Sequence, residues 1–244
     1  MTDAVTRARD ALLAAEAGGA PGELPVLTPA EVYRVQAAVL AARGTPVLGW
    51  KVALVGGEPV AAPITAVAPS GAILTAAPGR TTRIETELAF RLGQDLPPAT
   101  AYARADIVAA IAAVHPAFEI VGARLGEPPA VPFAAFLADR LGNAGLVVGE
   151  APADVGAGMP ARAVLTREGR EIAAGPHPHG DPLAALLAWA NARQDACGGL
   201  RAGQFVITGS FTGAPAVEAG ATYRGCFEGG GCVAAVFRSP SGER

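Results

Sequence analysis

Lysine is almost missing from this sequence. Of its 19 basic residues, Lys51 is the single lysine and the other 18 are arginine. A chain that writes nearly every cation as Arg follows a compositional preference. The exception marks either a chance survivor at the surface or a place that needs a proton Arg cannot give up. Charge of any kind is scarce, at 17% of residues against roughly 25% in an average domain. The net charge is −3 with no evident basic patch, which speaks against nucleic acid or an anionic membrane as partner. No apolar stretch approaches the roughly 18 residues of a membrane span. Cysteine is limited to Cys197, Cys226 and Cys232. An odd number without a CxxC pair argues against a disulfide framework and a zinc ribbon, so reduced thiols and a cytoplasmic location are expected. The first residues, MTDAVTRARDALLAAEAGG, mix Asp, Arg and Glu into their apolar positions. They read as a surface helix and not as a signal peptide.

What is present suffices for a packed core: 244 residues, 51% of them hydrophobic. Thr28, Pro29 and Glu31 form a capping box that starts a helix running to about Arg43, with Gly44 as its stop. A strand is expected over Val47–Val55 and another over Ile84–Leu92, with Gly- and Pro-rich loops and short strands between them. Asp106–Val114 reads as a helix ended by His115-Pro116, and Ala117–Leu125 as an apolar strand. Pro132–Leu141 reads as a short helix closed by Gly142, and Leu146–Val148 as a strand. A hairpin turns at Arg167–Arg170, and a helix capped by Asp181, with Pro182 at its first position, runs toward Gly198. Strands over 204–208, 221–228 and 232–238 complete the chain. Strands outnumber helices without alternating with them, which predicts an α+β protein with a mixed or rolled sheet. The organisation expected is an N-terminal helical arm, residues 1–45, on one catalytic domain, residues 46–244.

Three carboxylates stand out. Glu85 and Glu87 are two apart on a predicted strand and so share one face. An isolated E-x-E is most often a solvated strand face. Glu119 lies among Phe118, Ile120 and Val121, and a carboxylate there needs a partner. That partner is either an arginine such as Arg124 or a metal shared with the other two. Three strand-borne carboxylates suit a hard divalent cation, Mg²⁺ or Mn²⁺. Lys51, on an apolar strand after Trp50, could act as a general acid or base if burial or a metal lowered its pKa. The loop Thr208-Gly209-Ser210-Phe211-Thr212-Gly213 offers amides and hydroxyls to a carboxylate, although such loops are usually only turns. His177-Pro178-His179 fits no zinc spacing and reads as a polar loop. Gly229–Gly231 reads as a turn.

Taken together, G-W-K, I-E-T-E-L-A-F-R-L-G, H-P-A-F-E-I-V-G-A-R, A-G-L-V-V-G, D-P-L-A-A-L-L-A-W-A-N and G-Q-F-V-I-T-G-S-F-T-G carry a resemblance over about residues 28–238. The chain resembles the 2-oxopent-4-enoate hydratase / 4-oxalocrotonate decarboxylase branch of the fumarylacetoacetate hydrolase superfamily. The resemblance implies a mixed β-roll, a homo-oligomer, and Mg²⁺ or Mn²⁺ held by Glu85, Glu87 and Glu119. It implies Lys51 as the active-site lysine, Asp139 as a further catalytic acid, and Ser210, Thr212 and Arg124 as substrate-binding groups. The implied substrate is a small 2-oxo or 2-hydroxydienoate acid. A complex with a sister decarboxylase or hydratase is among the partners it implies.

The implied reaction is hydration of 2-hydroxypenta-2,4-dienoate through an enolate. Decarboxylation of a 4-oxalocrotonate-type acid uses the same enolate, and hydrolysis of an acylpyruvate is a third outcome. The chain departs from the pattern in several places. The E-P-D-F-G-type segment after the lysine strand becomes Ala62-Pro63-Ile64-Thr65-Ala66-Val67, without a carboxylate, and E-I-V-D-S-R becomes Glu119-Ile120-Val121-Gly122-Ala123-Arg124. A-D-N-A-S-S becomes Ala138–Asn143, and G-H-P becomes Gly180-Asp181-Pro182. These losses raise a rival of another class, a non-catalytic partner subunit. Retention of all three glutamates and of the single lysine argues against it.

Overall fold

The computed structural model describes residues 3–20, 22, 24–76, 79–98, 101–151, 159–192 and 195–238. Helix α1 (Asp3–Glu16) buries Val5, Ala8, Leu12 and Ala15, one stripe at helical spacing. Helix α2 (Pro29–Arg43) starts at the expected capping box and ends at Gly44, whose φ of 61° is the left-handed stop. Both helices join one apolar cluster with Trp50, Leu88, Phe90 and Trp189. The N-terminal arm is therefore packed into the body of the protein.

Among the described residues twelve strands follow: β1 (Gly49–Val55), β2 (Glu58–Ile64), β3 (Val67–Pro69), β4 (Ala72–Thr75), β5 (Arg83–Leu92), β6 (Ile111–Val121), β7 (Asn143–Val148), β8 (Ala163–Arg167), β9 (Arg170–Gly175), β10 (Phe205–Ile207), β11 (Thr222–Phe227) and β12 (Gly231–Arg238). They form a mixed seven-stranded sheet, β2-β1-β10-β5-β6-β7-β3, and a five-stranded sheet, β4-β12-β11-β8-β9. Ile84, Phe118, Ile120 and Val147 of the large sheet pack on Leu165, Tyr223, Val233 and Phe237 of the small one. On its other face the large sheet curls round Ile64, Ala89, Ala117, Leu146 and Ile207. This is the α+β, rolled-sheet architecture expected.

Local differences have physical causes. The expected helix Asp106–Val114 is α3 (Arg104–Ala110), and Ile111–Val114 already belongs to β6. Pairing of Phe90 with Val114 and of Leu92 with Ile111 overrides the helix propensity of the intervening alanines. The expected helix Pro132–Leu141 is α4 (Phe133–Ala138). Arg140, Leu141 and Gly142 then take φ of 58°, 52° and 72°, a left-handed turn. Helix α5 (Ala184–Ala192) ends before Gly198. Asp181 does serve its start, accepting from the Leu183 amide at 3.0 Å.

The expectation of three reduced thiols is corrected. Cys226 and Cys232 are bonded as a disulfide. They are direct cross-strand partners on the β11–β12 hairpin, and pairing through the hairpin brings the thiols together without any CxxC spacing. Among the described residues, no helix is long and apolar enough to cross a membrane.

Candidate metal centre

Strand alternation puts Glu85 and Glu87 on the concave face of β5, and antiparallel pairing sets Glu119 of β6 directly opposite Glu85. The carboxylates of Glu85, Glu87 and Glu119 each offer an oxygen within 4.8 Å of the others. Glu87 and Glu119 are 1% and 0% exposed, so they are not a solvated strand face.

Lys51 reaches this cluster from β1, across the short β10. Lys51 pairs with Ile207, and Ile207 with Ala89 of β5. The close approach of β10 needs Gly49, where a Cβ would stand 2.4 Å from the Phe205 carbonyl oxygen. Trp50 points the other way into the core, its indole donating to Gln204 Oε1 at 3.0 Å, and so fixes the strand. Lys51 Nζ lies 2.9 Å from Glu119 Oε2 and 3.4 Å from Glu85 Oε2.

The charges oppose one another. Burial alone would lower the Lys51 pKa, but Glu119, Glu85 and Glu87 outweigh it and raise the value, which keeps the amine protonated. Burial, followed by the charge of Glu85, pushes the Glu87 carboxyl up to about 7. Burial raises Glu119 as well, against the pull of Lys51. Glu85 is lowered: burial raises it, and Lys51 with hydrogen bonds from its neighbours more than offsets this. Glu87 Oε1 is buried without a hydrogen bond, while Glu119 Oε2 meets the Lys51 ammonium at 2.9 Å. One cation cannot satisfy three carboxylates. A buried carboxylate oxygen left without a hydrogen bond, in a cluster with one excess negative charge or more, fits a second, divalent cation.

Two groups that hold the carboxylates were not legible as such. The Gly209 amide donates to Glu87 Oε2 at 2.7 Å. A side chain at Gly209 is excluded by its φ of 142° and by Pro178 and His177, 3.1 and 3.3 Å from a Cβ there. Asn143 Nδ2 donates to Glu119 Oε1 at 2.8 Å, and the left-handed turn before it presents it there.

The other expected site residues are placed differently. Asp139 and Arg124 bind each other, Nε to Oδ1 at 2.5 Å, both buried. Arg124 therefore does not pair with Glu119. Its Nη1 donates to the Asn143 carbonyl at 2.7 Å, which links the pair to the carboxylates only through Asn143. Thr212 Oγ1 donates to Thr86 Oγ1 at 3.0 Å on the opposite face of β5. Ser210 Oγ donates to the Gly213 carbonyl at 2.7 Å. His177, expected in a polar loop, is buried against Phe211, with ring centroids 5.2 Å apart. Burial, then the nearby His179, lowers its pKa to about 4.

No protein-family model matches the chain. Among solved structures, 4-oxalocrotonate decarboxylase from Pseudomonas putida G7, complexed with magnesium and adipate, superposes with a TM-score of 0.81 at 22% identity, covering 97% of this chain and 98% of that one. The chain has the fold of that decarboxylase. Two hydrolases complexed with manganese and pyruvate are less similar. Maleylpyruvate hydrolase from Sphingobium sp. SYK-6 gives a TM-score of 0.56 at 18% identity over 94% of this chain and 92% of that one. Fumarylpyruvate hydrolase from Pseudomonas aeruginosa gives 0.59 at 16% over 78% and 89%. The decarboxylase fold is thus matched end to end, as the motif resemblance implied.

Proposed function

We propose that this protein is a divalent-metal-dependent lyase acting on a small 2-oxo or 2-hydroxydienoate acid, with Mg²⁺ or Mn²⁺ held by Glu85, Glu87 and Glu119. The observation that carries this reading is the clustering of three carboxylates, two of them fully buried, beside one lysine, with Glu87 Oε1 buried and left without a hydrogen bond. The metals named with the solved neighbours, magnesium and manganese, support the same choice of ion.

An ion held by Glu85, Glu87 and Glu119 would supply Lewis-acid polarisation of a substrate carbonyl. The protein does the rest. Glu85, Glu87 and Glu119 supply the negative charge that holds the ion. Gly209 N–H and Asn143 Nδ2 keep two of those carboxylates in place. Lys51 Nζ holds a proton at the edge of the cluster and is the group placed to move it during ketonisation. Thr212, buried, fixes the loop over β5. Ser210 is half-buried and is the loop hydroxyl free to exchange Gly213 for a substrate oxygen. Asp139 and Arg124, expected to act on substrate, are better accounted for as the brace behind Asn143.

Hydration and decarboxylation share the enolate, so this site serves either. The end-to-end match to a decarboxylase supports decarboxylation as the second reading beside the hydratase. The test is an assay of the Mn²⁺- or Mg²⁺-loaded protein with 2-hydroxypenta-2,4-dienoate and with 4-oxalocrotonate, following dienol absorbance and CO₂ release. Turnover of either with loss in Glu85→Gln supports the proposal. No turnover of either acid overturns the substrate assignment.

A further inference from the structure

Ala62, Lys51, Ile207, Ala89 and His115 are paired in turn from β2 to β6 and form one row across the large sheet. His115 comes four residues before Glu119 on β6, and Ala89 two after Glu87 on β5. Both therefore stand on the face that carries the three carboxylates. Ala117, between His115 and Glu119 on that face, is the partner of Glu87. His115 is thus the diagonal neighbour of Glu87, about 7–8 Å away at Cα, a span that an aromatic side chain can bridge.

The ring is held through one nitrogen. His115 Nδ1 lies 2.9 Å from the Gly149 carbonyl oxygen. A carbonyl can only accept, so Nδ1 carries a proton and the neutral ring keeps its lone pair on Nε2. Among the described residues Nε2 is buried without a hydrogen-bond partner. Phe205, on the same face from β10, packs edge to face on the ring with centroids 5.5 Å apart. It fixes the plane of the imidazole and offers Nε2 no donor. A buried nitrogen left open beside a chemical site is the kind of exception that a catalytic role explains.

Hydration needs a group that decarboxylation does not, a base for water. Lys51 is held protonated by its carboxylates, and Glu85, Glu87 and Glu119 are committed to the ion. The segment Ala62–Val67, where the related family carries an acid, brings no carboxylate, and Ala62 is the residue directly opposite Lys51.

We propose that His115 is the general base of this site, taking a proton from water through Nε2, and that the site is built for water addition. The proposal rests on the metal-dependent lyase reading above and deepens it by selecting hydration over decarboxylation. Ketonisation, served by Lys51, first moves the hydroxyl proton of the dienol to C5 and gives 2-oxopent-3-enoate. The water oxygen then bonds to C4 while one water proton passes to His115 Nε2. The C3–C4 π pair moves between C2 and C3, and the carbonyl pair onto the C2 oxygen. Lys51 gives a proton to C3 and the 2-oxo group re-forms. His115 releases its proton to solvent, from which Lys51 is recharged, so the net change is one OH on C4 and one H on C3.

The test uses the full chain with Mg²⁺ and 2-hydroxypenta-2,4-dienoate, and reads two events separately. Loss of dienol absorbance reports ketonisation, and formation of 4-hydroxy-2-oxopentanoate, followed by proton NMR, reports water addition. His115→Asn keeps a donor for the Gly149 carbonyl and has no basic nitrogen. It is expected to consume the dienol at the wild-type rate, to accumulate 2-oxopent-3-enoate, and to add water about 10²–10⁴-fold more slowly, the usual contribution of a positioned base. Mn²⁺ affinity, measured by electron paramagnetic resonance, is expected to stay unchanged. His115→Gln is the second variant and is expected to show the same split. Nitrogen-15 NMR of the histidine-labelled, metal-free chain, which has three histidines, is expected to show His115 protonated on Nδ1 and bare on Nε2 in mildly alkaline buffer.

A ring that only packs the sheet predicts that ketonisation, water addition and Mn²⁺ binding fall together in both variants. That result overturns the proposal alone, as does water addition at the wild-type rate in His115→Asn or a neutral ring with its proton on Nε2. A wild type that releases CO₂ from 4-oxalocrotonate but forms no hydrate also overturns it alone. A wild type that binds no Mn²⁺, or turns over neither acid, overturns the lyase reading and the proposal with it.

Discussion

Lys51 Nζ sits 2.9 Å from Glu119 Oε2, so the single lysine of the chain is the counter-ion of its most deeply buried carboxylate. A strand contributes each: β1 carries the amine and β6 the acid, with β10 and β5 between them. The pair fixes the protonation of the site, because the carboxylates hold the amine charged.

Replacement of Lys51 by Met should therefore separate binding from chemistry. The metal ligands remain, so Mn²⁺ still binds, while proton transfer is lost. Turnover is expected to fall about 10²–10⁴-fold, the usual contribution of a positioned acid or base. Lys51→Arg keeps the charge but cannot release the proton, and should show the same loss. Steady-state kinetics beside a Mn²⁺ titration check both variants.

The carboxylates should make metal binding depend on pH. Glu87 titrates at about 7 and Glu119 is raised too, and both must lose their protons to ligate. Mn²⁺ affinity should rise as pH climbs through about 7. Stability without metal runs the other way. The folded protein keeps protons that an unfolded glutamate, with its model value of 4.5, has already released. Stability should therefore fall as pH rises from 4.5 through about 7. Melting curves across this range with EDTA or with Mn²⁺ check the sign, and Mn²⁺ should reverse the fall.

Asn143→Ala removes the donor to Glu119 Oε1. Loss of a partner that orients a metal ligand costs about 10–100-fold in metal affinity. Stability should drop by only about 1–3 kcal/mol, the cost of one unsatisfied buried acceptor. Mn²⁺ titration and denaturant unfolding distinguish the two effects.

Parts of this site were legible before the fold was known, and the limits are instructive. Glu85 and Glu87 follow from the two-residue period of a strand, and Glu119 from the cost of a carboxylate between Phe118 and Ile120. The capping box of α2 is likewise local. Asn143 was not legible, because it depends on Arg140 and Leu141 accepting positive φ, which neither residue prefers. The Arg124–Asp139 pair joins two irregular stretches 15 residues apart, and no periodicity predicts it. Pairing with β5 overrode the helical pattern at Ile111–Val114. The Cys226–Cys232 bond is a product of hairpin register.

Asp139→Asn tests whether the buried pair is a brace or part of the chemistry. The new amide group would face the Arg124 and Leu125 backbone N–H donors, which now share Oδ2 at 2.6 and 3.3 Å, and Arg124 would lose its counter-charge. Stability is expected to fall by about 3–5 kcal/mol. In the fraction that stays folded, Mn²⁺ binding should persist and turnover per metal site should change far less than in Lys51→Met. A loss of turnover equal to that of Lys51→Met, at unchanged stability, would place Asp139 in the chemistry instead.

The central claim is that Glu85, Glu87 and Glu119 hold one divalent ion. Anomalous diffraction from crystals of the full chain soaked in Mn²⁺ tests it most directly. The account predicts a single strong peak with one oxygen from each of the three glutamates at about 2.1 Å, absent from Glu119→Gln crystals. A peak elsewhere, or none between β5 and β6, would contradict it.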